Sequence, residues 1–500
     1  MDLLFANLAH GFGVALSFDN LFFALLGALI GTAIGVLPGI GPVATISLLL
    51  PITFGQPATT AIIMLAGIYY GAQYGGSTTA ILLNLPGEVS SVVTTLEGYK
   101  MARNGRAGAA LAIAALGSFF AGSVATILVA ASGPLLTEVA LSFGPADYFS
   151  LMLLGLIISA VLAQGSVIKS VGMVVFGVAL GLVGTDVQTG QQRFTFGVPE
   201  LSDGLNFAAI AMGVFGIAEI ILNLERPEVR EVLTTKVGSM FLTKEEWKRA
   251  TPSVLRGTLI GSALGILPGG GASLASFGSY MMERKMSKGR AEFGNGAIEG
   301  VAGPEAANNA AAQTSFIPLL TLGIPSNAVM ALMVGALIIQ GIQPGPRMVE
   351  SQPDLFWGLI CSMWIGNAML LVINLPLIGM WVKLLQVPYK YMYPAILSFC
   401  AIGVYSINNN VFDVYQTVFF AILGYTFSKL KMEPAPLLVG FVLGPMMEEH
   451  LRRAMLLSRG DPSVFIERPI SAVLLLIATL ALGLMLLPGL RKKKEAAMAG

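Results

Sequence analysis

The sequence predicts an all-α polytopic membrane protein built from two inverted-topology repeats. Each repeat holds discontinuous helices and a polar helical hairpin, and about 20 apolar residues per crossing leaves room for roughly 12 membrane segments. Three observations carry this. Of 500 residues, 55% are hydrophobic and only 11% are charged, against about 25% charge in a soluble chain, and the mean hydropathy is +0.77. An eleven-residue motif occurs twice: GTAIGVLPGIG at 31–41 and GSALGILPGGG at 261–271, identical at seven positions. Two stretches of small polar residues interrupt otherwise apolar sequence, GIYYGAQYGGSTTAILLNLPGE at 67–88 and AGPEAANNAAAQTSFIPLLTLGIPSNAVMA at 302–331.

In chain order, residues 1–19 are short and weakly amphipathic. The apolar run 21–50 is interrupted by the first LPG motif. There Pro38 removes a helix hydrogen bond and the flanking glycines weaken the helix further, so a hairpin or discontinuous helix is expected over 31–54. An uncharged loop, 51–57, leads to the polar stretch 67–88, read as a broken, glycine-rich hairpin. A basic loop with Lys100, Arg103 and Arg106 follows, then apolar spans at about 107–131, 148–163, 171–184 and 206–223. Residues 225–256 form a charged, partly helical connector, with Trp247 suited to an interface anchor. The pattern then restarts. The expected units are a first repeat over 1–225, a charged cytoplasmic linker over 226–256, a second repeat over 257–468 with motifs at 261–282 and 302–331, and a terminal membrane helix with a basic tail over 469–500.

Loop charges orient the two copies. The loop after the first LPG motif is uncharged, whereas its counterpart carries Arg284, Lys285, Lys288 and Arg290. After the polar stretch the pattern swaps: Lys100, Arg103 and Arg106 in the first copy, but Arg347 beside Glu350 and Asp354 in the second. By the positive-inside rule equivalent loops lie on opposite sides, and the basic tail places the C-terminus in the cytoplasm. Arg452, Arg453, Arg459 and Arg468, with nearly equal acids, run against this pattern. Residues 1–99 hold no Lys or Arg, so the basic start of a cleavable signal peptide is missing.

Several function classes are disfavoured. A net charge of +1 gives nucleic acid nothing to bind. Cys361 and Cys400 lie in apolar stretches, and His10 and His450 are far apart, so neither a metal centre nor a nucleophilic triad is visible and no enzyme is expected. Internal repeats with broken helices fit a transporter.

In hydrocarbon, unpaired polar groups are costly, so the polar stretches must be buried in protein or line a wet cavity. Helix ends with free N–H groups favour anions. The candidate substrate-binding residues are Gly39, Gly41, Gln73, Tyr74, Gly75, Gly76, Ser77, Thr78, Thr79 and Asn84 in the first copy. In the second they are Gly269, Gly270, Gly271, Asn308, Asn309, Gln313, Thr314, Ser315 and Asn327. The glycines allow close approach to the backbone, the hydroxyls donate to carboxylates, and the amides both donate and accept. Amide and backbone oxygens suit a hard cation such as sodium. Pro38, Pro86, Pro268 and Pro325 are the expected helix breaks. Glu88 and Glu305 are candidates for cation coupling, or else carboxylates capping helix ends. For each hydroxyl the competing reading is a bond to a neighbouring helix, and for the glycines close helix packing.

The two polar stretches together with the two LPG motifs resemble the large membrane subunit of the tripartite tricarboxylate transporters, the TctA family, over about residues 20–465. The resemblance implies a translocating permease in the bacterial inner membrane. It implies a small TctB-like membrane subunit and a periplasmic, TctC-like solute-binding protein as partners. Transport would be secondary, coupled to sodium or protons without another cofactor, and the substrates small carboxylates such as citrate. A homodimer is expected by analogy with other broken-hairpin carriers. The alternative is a stand-alone organic-anion carrier or a channel without a binding protein.

Overall fold

The computed structural model describes all residues except 1, 38–40, 164–165, 187, 226–237, 268–270, 288–291, 385–392 and 487–500. Pro38, Gly39, Pro268, Gly269, Gly270, the middle of the charged connector and the basic tail therefore lie outside the described residues.

The first half contains α1 (Asp2–Ala15), α2 (Phe18–Val36), α3 (Pro42–Leu49), α4 (Ala58–Leu83), α5 (Val92–Met101), α6 (Ala107–Leu141), α7 (Pro145–Leu162), α8 (Val167–Gly181), α9 (Phe207–Ala211) and α10 (Ala218–Glu225). The second half contains α11 (Lys244–Gly265), α12 (Gly271–Met286), α13 (Glu299–Thr314), α14 (Phe316–Leu322), α15 (Ala328–Ile339), α16 (Met348–Ser351), α17 (Pro353–Asn374), α18 (Ile378–Leu384) and α19 (Tyr393–Asn408). It closes with α20 (Val411–Lys429), α21 (Ala435–Leu457), α22 (Val464–Glu467) and α23 (Pro469–Leu486). Strand pairing among the described residues is confined to the two-residue strands Gly184–Thr185 and Gln192–Arg193.

Among the described residues, five segments are long and apolar enough to cross a membrane: Phe18–Val36, Val89–Gly133, Phe207–Glu225, Pro353–Asn374 and Val411–Lys429. The 26-residue α4 is not among them although 24 of its residues, from Thr60 to Leu83, are buried. Its polar side chains are shielded by protein, the condition under which polar groups persist at membrane depth.

The helix of the first LPG motif stops at Val36, and Pro42 opens α3 from an extended Gly41. One expectation is corrected. The glycine-rich stretch 67–83 is an uninterrupted helix, and only 84–88 leaves helical geometry, starting at left-handed Asn84. The reason is packing: a Cβ on Gly71 would lie 2.6 Å from the Ala28 carbonyl oxygen, and one on Gly75 2.4 Å from that of Thr32. These glycines admit α2 instead of breaking α4. In the second half, α13 runs through Pro304, α14 ends at left-handed Gly323, and Asn327 caps α15.

The same close packing recurs. A Cβ on Gly27, Gly31 or Gly35 would meet the carbonyl oxygen of Met64, Ile68 or Ala72 at 2.2–2.3 Å. On Gly257, Gly261 or Gly265 it would meet that of Gly303, Ala307 or Ala311 at 2.2–2.4 Å. The partner advances four residues per step in both halves, so α2 lies on α4 as α11 lies on α13.

Loops of the two halves meet in two places. Asn104 donates to the Asn295 carbonyl at 3.1 Å, Lys100 to that of Gly294, and Arg106 pairs with Glu246. Separately, the Gln340 amide donates to the Thr53 carbonyl at 2.9 Å. The charged connector contributes the first turns of α11, where Arg249 bridges Glu292 and Glu299. The discordant arginines are largely neutralised: Arg452 pairs with Asp186 and Glu448, Arg453 with Glu449 and Arg468 with Asp147.

Candidate functional site

Within each half the two breaks lie together. A Cβ on Gly41 would be 4.0 Å from the Gly87 carbonyl oxygen, and one on Gly271 3.4 Å from Asn327 Nδ2. Gly87 is itself wedged: a Cβ there would lie 2.4 Å from both the Gly35 carbonyl oxygen and Gly76 Cα. Any side chain at 87 would drive the break away from α2 and α4.

Between halves, α13 meets the first polar stretch through side chains. The Glu305 carboxylate, 1% exposed, accepts from Ser77 Oγ at 2.6 Å and from Thr94 Oγ1. One turn along the same face of α13, Asn308 Nδ2 donates to Glu88 Oε1 at 3.1 Å, and that carboxylate also accepts from Ser90. Asn309 Nδ2 donates to Ser118 Oγ at 2.7 Å. Glu88 also opens the 3₁₀ turn Val89–Ser91 as its N-cap, so it is anchored from both sides. Two carboxylates, one from each half, buried Glu305 and half-buried Glu88, thus meet at a single turn of α13.

The remaining candidates divide. Thr79 donates to the Val36 carbonyl at 2.6 Å, satisfying a group left free where α2 ends. Thr78, Thr314 and Ser315 donate to carbonyls of their own helices, those of Tyr74, Ala310 and Ala311. Asn327 caps α15 through Met330 N and holds Ser315 Oγ at 3.1 Å. These are structural bonds. Asn84 is exposed and stands apart from the buried cluster. Pro86 lies in the 84–88 break and Pro325 in the loop before α15.

The others are buried with unused polar atoms: both amide atoms of Gln73, the Tyr74 hydroxyl, Asn308 Oδ1 and Gln313 Oε1. Nearly all buried polar atoms in proteins find partners, so these atoms are available to a ligand or water. The set offers carboxylate and amide oxygens to a hard cation. Among the described residues no group of three or more His, Cys, Asp or Glu gathers.

Sequence reasoning missed Thr94, Ser118 and Glu97. Thr94 lies just past the stretch judged polar, and Ser118 is a lone hydroxyl in an apolar run. Glu97 is fully buried and accepts from Tyr280 Oη and from the backbone N–H groups of Gly294, Gly296 and Ala297. Its partners lie nearly 200 positions away, and no local signal announces them.

Apolar spans arranged around a buried, partly unsatisfied polar cluster at helix breaks define a multi-pass membrane protein of the transporter class. The chain belongs to the tripartite tricarboxylate transporter TctA family, whose pattern it matches over residues 21–439. It is 60% identical over 495 residues, 99% of this chain and 98% of the other, to an "Uncharacterized 52.8 kDa protein in TAR-I ttuC' 3'region" of Agrobacterium vitis. An "Uncharacterized protein in TAR-II ttuC' 3'region" of the same organism is 63% identical over 235 residues, 47% of this chain and 97% of that one. No solved structure matches the chain.

Proposed function

We propose that this protein is the permease subunit of a binding-protein-dependent secondary transporter. It imports small di- or tricarboxylates across the bacterial inner membrane by alternating access, coupled to sodium or protons. A small membrane subunit and a periplasmic binding protein complete the system, the C-terminus is cytoplasmic, and the permease works as a homodimer. The observation that carries this is the Glu88–Glu305 cluster, a half-buried and a buried carboxylate from opposite halves joined through one turn of α13. Intramembrane carboxylates are expensive and mark ion pathways. Glu88 and Glu305 take the proton or the sodium ion, and the unused amide atoms of Gln73 and amide oxygens of Asn308 and Gln313 face the substrate or complete the cation's oxygen shell. No Lys or Arg occurs within either polar stretch, so helix-end dipoles and the co-bound cation neutralise the anion.

The proposed architecture is a pair of inverted repeats with roughly 12 membrane segments. It is supported by the matched glycine packing of α2 on α4 and α11 on α13. It is supported as well by the way loops of the two halves meet, the basic loop after the first polar stretch at Asn295 and the uncharged loop 51–57 at Gln340.

The test is uptake of radiolabelled citrate, succinate and malate into proteoliposomes holding the permease with its small subunit and binding protein. Sodium and proton gradients are imposed separately. Accumulation that requires one gradient and the binding protein is expected. Uptake indifferent to both gradients, in a folded preparation, overturns the coupling assignment.

A further inference from the structure

A second polar feature lies outside the buried cluster. The 84–88 break turns Glu88 inward but leaves Asn84 exposed, at the wall of a cavity of about 1010 Å³. Tyr99, Lys100, Arg103 and Asn104 from the first half and Asn295 from the second also line it. The cavity thus sits on the seam between halves, against the backbone break that carries a coupling candidate.

Its charge is one-sided. Lys100 and Arg103 are exposed on it, and among the described residues Arg103 makes no ion pair or hydrogen bond. The neighbouring acids are spent: Glu97 is buried under four donors, and Glu292 is held by both terminal nitrogens of Arg249. Asn84, Asn104 and Asn295 add neutral hydrogen-bonding groups. Clefts of one sign between low-dielectric walls concentrate counter-ions, and the unpaired Arg103 offers a planar fork suited to a carboxylate.

We propose that this cavity is an anion vestibule on the cytoplasmic side, where Arg103 and Lys100 receive the carboxylate as it leaves the buried site across the 84–88 break. The proposal rests on the permease reading above. It adds a substrate subsite in which the cations absent from the polar stretches are supplied at the exit.

The test separates the subsite from transport. Leu96, an exposed residue of the cavity wall, is replaced by cysteine (Leu96→Cys); the native Cys361 and Cys400 are both buried. Labelling is followed with membrane-impermeant thiosulfonates of equal size and opposite charge, in spheroplasts and in inside-out phosphatidylcholine proteoliposomes. The anionic reagent is expected to react about tenfold faster than the cationic one, from the cytoplasmic face only. Citrate, succinate or malate, whichever is transported, slows it. Arg103→Gln abolishes both the preference and the protection and raises the KM for uptake, and Arg103→Lys restores much of each. Equal rates for the two reagents, or labelling from the periplasmic face, overturn the vestibule, as does a lack of protection by an acid the same preparation transports. Phosphatidylglycerol that protects as well as the acid makes this a lipid headgroup site and overturns it too. If no carboxylate is transported yet charge preference and anion protection persist, the vestibule stands and the transport reading falls.

Discussion

Glu305 shows how one residue can have a legible role and an illegible environment. Its charge inside small, apolar sequence marks it, but Ser77 and Thr94, which hold it, come from over 200 positions away. Removing one donor leaves a buried carboxylate oxygen short of a partner. Ser77→Ala and Thr94→Val are each expected to lower stability by about 1–3 kcal/mol, read as a lower Tm in detergent. Because both donors serve one carboxylate, the double variant in a Glu305→Gln background departs from additivity. Glu305→Gln, which keeps the size and removes the charge, is expected to fold and to lose gradient-driven uptake at least about tenfold. Unchanged uptake with unchanged gradient dependence removes Glu305 from coupling. Glu97 carries the opposite expectation: Glu97→Ala strands four donors at the seam and costs about 3 kcal/mol or more, a folding defect first. An unaltered Tm refutes that.

At the scale of elements, small residues serve two physical ends. Gly27, Gly31 and Gly35, like Gly257, Gly261 and Gly265, bring two backbones into contact; the gain is close packing where lipid supplies no hydrophobic drive between helices. Gly31→Leu and Gly261→Leu each force a backbone carbonyl aside and are expected to destabilise by about 1–3 kcal/mol. Equal Tm values for variants and parent contradict the packing. Gly87 acts at a break, where its lack of a side chain lets the 84–88 segment sit between α2 and α4. The distinction between packing and breaking glycines is invisible in composition. The sequence reading took 67–88 as a broken, glycine-rich hairpin, whereas 67–83 is one helix and only 84–88 leaves it, because α2 fills the glycine face of α4.

For the whole molecule, the prediction concerns sides and motion. Asn104→Cys with Asn295→Cys is expected to form a disulfide reached only from the cytoplasm, and Gln56→Cys with Gln340→Cys one reached only from the periplasm. The side chains of Asn104 and Gln340 contact the partner backbones directly. Each crosslink joins the two halves at one end, so closing either is expected to reduce uptake severely and reversibly. Full uptake with a quantitative crosslink argues against alternating access by relative movement of the halves.

The sequence by itself determined the class of this protein: low charge, apolar spans, a repeated LPG motif and two polar stretches leave an all-α membrane transporter as the consistent reading. The described helix ends at Val36, Leu83 and Leu322 lie beside glycines and prolines of the motifs, which act locally on the backbone. Only the tertiary structure decided which polar residues work together. Ser77 and Glu305 proved to be partners, whereas Thr78, Thr79, Thr314 and Ser315 are occupied by backbone carbonyls, and Thr94, Ser118 and Glu97 entered the architecture unannounced. Backbone breaks follow from short-range sterics. The partner of a buried polar atom depends on which distant helix is packed against it, and that is set by the summed packing of the chain.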